Sequence, residues 1–263
     1  METITPTVFG LDADARGELV EHFRQHGWVA VDAVTPDVAA RLASWVEEVA
    51  AVPDGVGGML QHFEGTDAGP ALCRSENFVP THAGLRDLLC TGAFIDVASA
   101  LLGEQAVLYK EKVNYKLAGG AGYSPHQDAP AYPMIDVHVS AMVAVDDSDA
   151  TNGCLEVVSA RFDEVLPLDD RGCIEPAVAE TLPWEAVPLR AGHTLWFHSR
   201  TPHRSGPNRS GRARRALYPT YNAAREGDRR GEYYAAKAAA FASATPGDRA
   251  QVSLIGDFEG RPA

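Results

Sequence analysis

The sequence predicts a mainly β protein, a sandwich or jelly roll, with helices packed against one sheet as a buttress. Two observations predict it. From about residue 105 to 222 the chain breaks into short alternating runs, separated by turn residues such as Asn152-Gly153, Ala191-Gly192 and Asn208-Arg209-Ser210-Gly211. Ahead of that stretch, apolar residues recur at helical spacing.

The elements follow in order. Residues 12–26 read as a helix with Leu19, Val20 and Phe23 on one face and Gly27 as its stop. Residues 28–34 (WVAVDAV) alternate as a short strand. Thr35-Pro36 supplies an N-cap and a proline at the first helical position. The helix it opens carries Val38, Leu42, Trp45, Val46 and Val49. Residues 53–70, rich in Gly and Asp, read as a loop whose glycines suit a mobile lid. Residues 84–103 return to helix with Leu85, Leu88, Leu89, Val97, Leu101 and Leu102. Strands are expected at 106–117, 137–145, 154–158, 185–190, 194–198 and 214–221, and a closing helix at 228–242. In the first strand Val107, Tyr109, Glu111, Val113, Tyr115 and Leu117 share a face opposite Leu108, Lys110, Lys112, Asn114 and Lys116. No repeat and no long linker divides the chain. One domain over residues 1–263 is expected: a helical part to about 104, a jelly-roll core over about 105–222, then the closing helix.

Composition narrows the function. With 23 Lys+Arg against 36 Asp+Glu the formal charge is −13, which argues against nucleic acid as a partner. No run of about 18 apolar residues occurs, so no membrane helix is expected. The start, Met1-Glu2-Thr3-Ile4-Thr5-Pro6, lacks a signal-peptide pattern, and a cytoplasmic protein is expected. Cys73, Cys90, Cys154 and Cys173 form no C-x-x-C pair and read as free thiols.

The chemistry centres on Ser124-Pro125-His126-Gln127-Asp128. In an extended H-x-D segment the outer side chains point the same way, so an imidazole and a carboxylate can grip one ion. They supply two ligands of a 2-His-1-carboxylate triad. A second match, His62-Phe63-Glu64, lies in the Gly-rich stretch and has no partner set. The third ligand must come from a distant strand. His203 is the candidate, following the apolar run 194–198; His193 and His198 are rivals that fit a turn and a packed position better. Arg214 opens the last strand, where a guanidinium can hold a carboxylate bidentately, and Arg215 faces the other side. Arg204, Arg209 and Arg212 read as solvated.

Together these residues resemble the phytanoyl-CoA dioxygenase family. The resemblance rests on His126-x-Asp128, on His203 followed by Ser205, Pro207 and Asn208, and on Arg214 eleven residues beyond His203. It extends to Lys112-Val113-Asn114-Tyr115-Lys116, similar to a segment of ectoine hydroxylases, and to Asn152-Gly153-Cys154-Leu155-Glu156-Val157. It implies a double-stranded β-helix of the jelly-roll, cupin-like type. It also implies Fe(II) on His126, Asp128 and His203, with 2-oxoglutarate as cosubstrate and O₂ as oxidant. Arg214 and Ser205 would bind the far carboxylate of 2-oxoglutarate, and Asn114 and Ser140 would line the same cosubstrate. The implied reaction hydroxylates an unactivated C–H bond and releases succinate and CO₂. Asp128 separates the chain from related halogenases, which carry a small residue there. Two departures, Gly192-His193 and Ser159-Ala160-Arg161-Phe162, fall on substrate-side loops.

The face shared with Asn114 also carries Lys110 and Lys112, and Arg74, Glu76 and Asn77 form a polar run ahead of Phe78. Lys110, Lys112, Arg74 and Asn77 are the candidate substrate residues. They suit a small anionic or zwitterionic metabolite such as a betaine or an aminoalkylphosphonate. Met142 fits either the pocket wall or the core. A tailoring oxygenase for a larger or carrier-bound substrate and a non-catalytic jelly-roll binding protein are the alternatives. Oligomeric state is not legible.

Overall fold

The structure is a computed structural model and describes residues 13–32, 36–243 and 252–263. In chain order its elements are α1 (Ala13–His26), β1 (Trp28–Asp32), α2 (Pro36–Ala51), β2 (Leu60–Thr66), β3 (Gly69–Glu76), α3 (Ala83–Cys90), α4 (Ala93–Leu102), β4 (Ala106–Lys116) and β5 (Tyr123–His126). There follow β6 (His138–Ala144), β7 (Leu155–Val157), the short α5 (Pro176–Ala179), β8 (Glu185–Val187), β9 (His193–His198), β10 (His203–Ser205), β11 (Arg214–Ala223) and α6 (Arg230–Ser243). Thr35, its expected N-cap role, and strand residues 33 and 34 lie outside the described residues, as do residue 12 and the Met1–Pro6 start.

Among the described residues the strands form two antiparallel sheets. The larger runs β1-β9-β6-β11-β4-β3-β2 and the smaller β5-β10-β7-β8. Period-2 alternation sorts side chains between two cores. On the outer face of the large sheet, Val29, Val139, Ala141, Val143, Trp196, Leu217 and Tyr221 meet Leu19 and Phe23 of α1, Leu42 and Val46 of α2, Leu85 of α3, and Phe94 and Val97 of α4. This is the expected helical buttress. Between the sheets, Trp28, Met142, Leu195, Phe197 and Ala216 pack on Leu155, Val157 and Val187. Met142 is thus a core residue.

Trp196 anchors the outer core: its ring lies 5.8 Å from Phe94 and 5.9 Å from Tyr221, and its Nε1 donates to Thr194 Oγ1 at 3.0 Å. Trp196→Ala is expected to cost about 3–5 kcal/mol, read as an earlier urea-unfolding midpoint. A shift under about 1 kcal/mol would mean the buttress contributes little.

Four expectations need correction. Residues 53–70 are not simply a loop, since β2 and β3 pair from Leu60↔Glu76 to Thr66↔Gly69 as a hairpin that extends the large sheet. Its turn falls at Asp67-Ala68, with Gly69 at φ 108°. His62 sits on this hairpin with Nε2 3.5 Å from Glu76. The 84–103 helix is two helices, broken at Thr91-Gly92, where Gly92 takes φ 61°. The alternation of β4 is interrupted at Tyr109: opposite β11, Thr220 pairs with Lys110 but Tyr221 pairs with Leu108. This bulge turns Leu108 toward the helices and sends Tyr109 to Tyr132 and Tyr233. The strand expected over 185–190 is only three residues long, β8. The cysteines are free, with Cys90 half-buried and the others buried.

Candidate active site

The site lies between the sheets. β5 and β10 are paired, with His203 opposite His126, so two imidazoles from distant parts of the sequence face each other at a ring separation of 4.1 Å. Asp128 follows β5 by two residues. Ligand atoms of His126, Asp128 and His203 all lie within 4.8 Å of one another, and all three residues are buried.

The surrounding bonds prepare the donor atoms. His126 Nδ1 lies 2.7 Å from the Ser124 carbonyl and His203 Nδ1 3.0 Å from the Thr201 carbonyl. Carbonyls only accept, so both Nδ1 atoms carry the proton and both Nε2 atoms keep a lone pair for a metal. Burial pulls His203 down to about 4, helped by the neighbouring His126, so it is neutral at pH 7. Burial opposes ionisation of Asp128, yet His203, Lys112 and Lys110 outweigh it and hold the carboxyl well below its usual range. Ser140 Oγ donates to Asp128 Oδ2 at 3.2 Å, aided by its contact with Thr220 Oγ1 at 2.9 Å. Two imidazoles that present Nε2 and one carboxylate on adjoining segments suit a divalent iron with open positions.

Deeper between the sheets, Arg214 is buried. Its Nη2 donates to the Gly153 carbonyl at 2.5 Å and its Nη1 to Tyr218 Oη at 3.4 Å, while Nε has no partner among the described residues. Gly153 is required there: it holds φ 74°, and a Cβ would lie 2.2 Å from the Gly206 carbonyl. Arg215 points to the other face and pairs with Asp146 at 2.8 Å.

Lys110, Lys112, Asn114, Ser140 and Ser205 line one cavity together with His126, Asp128 and His203. Arg74 is fully buried behind that wall. Its Nε donates to Asn114 Oδ1 at 2.9 Å, and Nη1 to the Val252 carbonyl at 2.5 Å. It supports the cavity without lining it. Asn77 is turned elsewhere: it donates to the Gly58 carbonyl at 2.8 Å and accepts from Arg230 at 2.8 Å. The strand ends at Glu76 and Asn77 adopts φ 63°, which takes it out of the site's face. His198 accepts from the Arg200 amide at 3.1 Å and packs on Phe162, and His193 starts β9 beside the Ala191-Gly192 turn; neither joins the triad.

Several residues at the site were not anticipated. Lys116 Nζ donates to Ser205 Oγ at 2.8 Å and to the Gly206 carbonyl at 2.6 Å, next to Arg214. It shares the Asn114 face, so alternation alone could have found it. Tyr218 and Thr220 lie two and three alternations along β11 from Arg214 and line the same cavity. Tyr123 and Asp257 carried no sequence signal.

A jelly roll with this facial triad and a buried arginine defines a mononuclear Fe(II)- and 2-oxoglutarate-dependent oxygenase. The chain belongs to the phytanoyl-CoA dioxygenase (PhyH) family, whose family model matches residues 23–216. It is 44% identical over 248 residues to methylphosphonate hydroxylase of Gimesia maris, covering 93% of this chain and 95% of that one. It is 36% identical over 218 residues to 2-aminoethylphosphonate dioxygenase of the uncultured bacterium HF130_AEPn_1, covering 81% and 83%. Its fold is similar to that of EctD from S. alaskensis, solved with 2-oxoglutarate and 5-hydroxyectoine. The TM-score is 0.68 at 19% identity, over 86% of this chain and 82% of EctD, a likeness of fold. The protein is therefore a dioxygenase that uses Fe(II), 2-oxoglutarate and O₂. No helix among the described residues is long and apolar enough to cross a membrane.

Proposed function

We propose that this dioxygenase hydroxylates a C–H bond of a small phosphonate, with release of succinate and CO₂. Two lysines carry the reading, Lys110 buried and Lys112 half-buried, whose amines make no ion pair or hydrogen bond among the described residues. Both project from β4 into the cavity. Each lies over a ring instead, Lys110 4.5 Å from the Tyr132 centroid and Lys112 5.3 Å from that of Tyr218. Burial pushes Lys110 well below its ordinary range and Lys112 to about 8, with the Arg74 charge adding to the shift in Lys112. A bound dianion favours the protonated form of both desolvated amines, and a phosphonate offers two negative charges on oxygen where a simple carboxylate does not. The names of the two relatives support the same substrate class.

In this reading His126, Asp128 and His203 hold Fe(II). Bound iron supplies the O₂ activation that couples decarboxylation of 2-oxoglutarate to hydroxylation of the substrate carbon. The chain's own residues bind and orient. Arg214, with Ser205 and Lys116 beside it, receives the far carboxylate of 2-oxoglutarate. Asn114 and Ser140 border the same molecule, and Asn114 is itself fixed by Arg74. Lys110 and Lys112 hold the phosphonate, while Leu155 and Phe197 exclude water from the reacting carbon.

The test is the pH dependence of substrate affinity. Lys112 stays charged below about pH 8 and loses its proton above it. KM expressed per phosphonate dianion should therefore be level up to that point and then rise, approaching tenfold per pH unit. Lys112→Arg, whose charge persists, should stay level over the same range. Half-saturation by 2-oxoglutarate should not follow this profile in either protein. An identical rise of KM in both would contradict the role of Lys112.

A further inference from the structure

Residues 252–263 run along β5 and reach β2. Ser124 N donates to the Asp257 carbonyl at 2.7 Å, Glu259 N to Gly122 at 3.1 Å, and Ala263 N to Phe63 at 2.9 Å. This docking carries the Asp257 side chain inward, where it is 3% exposed. Its Oδ2 lies 3.4 Å from His126 Nε2, and its Oδ1 has no partner among the described residues.

The His126 contact is not one the working enzyme can keep. Nδ1 of His126 is committed to the Ser124 carbonyl, so Nε2 is the atom left for iron. Once Nε2 is a ligand, a buried carboxylate beside the metal retains no donor from the described residues. A buried unpaired carboxylate is costly and would also repel an incoming phosphonate dianion. Both penalties vanish when the substrate itself brings a cation. The charge of Asp257 is felt at Lys112, which lines the cavity, and at Arg74 behind its wall.

We propose that Asp257 accepts the ammonium of the substrate, making that substrate an aminoalkylphosphonate rather than a plain alkylphosphonate. The headgroup part rests on the function proposed above. The ammonium part rests on the position of Asp257.

The experiment separates the two. Titration calorimetry under anaerobic conditions, on full-length protein loaded with Fe(II) and 2-oxoglutarate, compares two matched pairs. These are 2-aminoethylphosphonate with propylphosphonate, and β-alanine with butyrate; within each pair a methyl replaces the ammonium. Wild type should bind 2-aminoethylphosphonate at least about tenfold tighter than propylphosphonate. Asp257→Asn should bring that ratio within about threefold, through weaker binding of the amino compound, and Asp257→Glu should restore part of it. No ammonium preference in either pair for wild type, or an Asp257→Asn variant that weakens both members of a pair alike, would overturn the proposal. Carboxylates binding as tightly as phosphonates, with the ammonium contrast intact, would instead count against the phosphonate headgroup alone.

Discussion

His203→Ala is expected to leave a folded protein that no longer retains Fe(II) and that hydroxylates more than about a thousandfold more slowly. In the proposed metal site His203 is the ligand delivered by the second segment, and it is held by the Thr201 carbonyl at Nδ1 and packed on Phe197 at a ring separation of 4.7 Å. Without it, His126 and Asp128 come from one short stretch of chain and form only an open bidentate grip. Iron content after gel filtration, alongside circular dichroism, checks this. A His203→Ala protein that keeps stoichiometric iron would show that the metal centre lies elsewhere.

Arg214→Ala is expected to raise the 2-oxoglutarate concentration for half-saturation by about a hundredfold, with a smaller change in affinity for the phosphonate. Arg214 is buried, and its unpartnered Nε marks the guanidinium as incompletely used by the protein. A carboxylate in its reach forms a charge-assisted pair shielded from water, and loss of one partner from such a pair costs about 2–5 kcal/mol. Arg214→Lys should recover only part of the loss, because an ammonium cannot reproduce the planar fork that also holds the Gly153 carbonyl. Succinate formation measured against 2-oxoglutarate concentration reads both variants. An unchanged half-saturation point in Arg214→Ala would assign the far carboxylate to another residue, Lys116 first, whose amine burial and the Arg214 charge pull down to about 6 and which loses that neighbouring charge in the variant.

Much of this site follows from alternation in the long strands. The parity of β4, β6 and β11 places Asn114, Ser140 and Arg214 on the inner face because Val113, Val139 and Leu217 must face the helices. The same parity places Lys116, Tyr218 and Thr220, which is why those residues were within reach of the sequence. What was not legible lacks a local signature. β2 carries Leu60, His62 and Glu64 against Gln61, Phe63 and Gly65, so neither face is apolar enough to announce a strand; it is held by pairing with β3. The bulge at Tyr109 changes which side chains face the site without changing the hydrophobicity of the run. Asp257 reaches His126 only through docking of the chain's end on β5, a contact across more than a hundred residues that no spacing rule encodes.

Phosphonate hydroxylation is read by ³¹P NMR product analysis, paired with a succinate assay, for protein supplied with Fe(II), 2-oxoglutarate, O₂ and 2-aminoethylphosphonate. A new phosphorus resonance from a hydroxylated phosphonate is expected, formed with one succinate per product and absent in His203→Ala. Succinate released at the same rate with and without the phosphonate, and no new phosphorus resonance from it or from methylphosphonate, would contradict phosphonate hydroxylation.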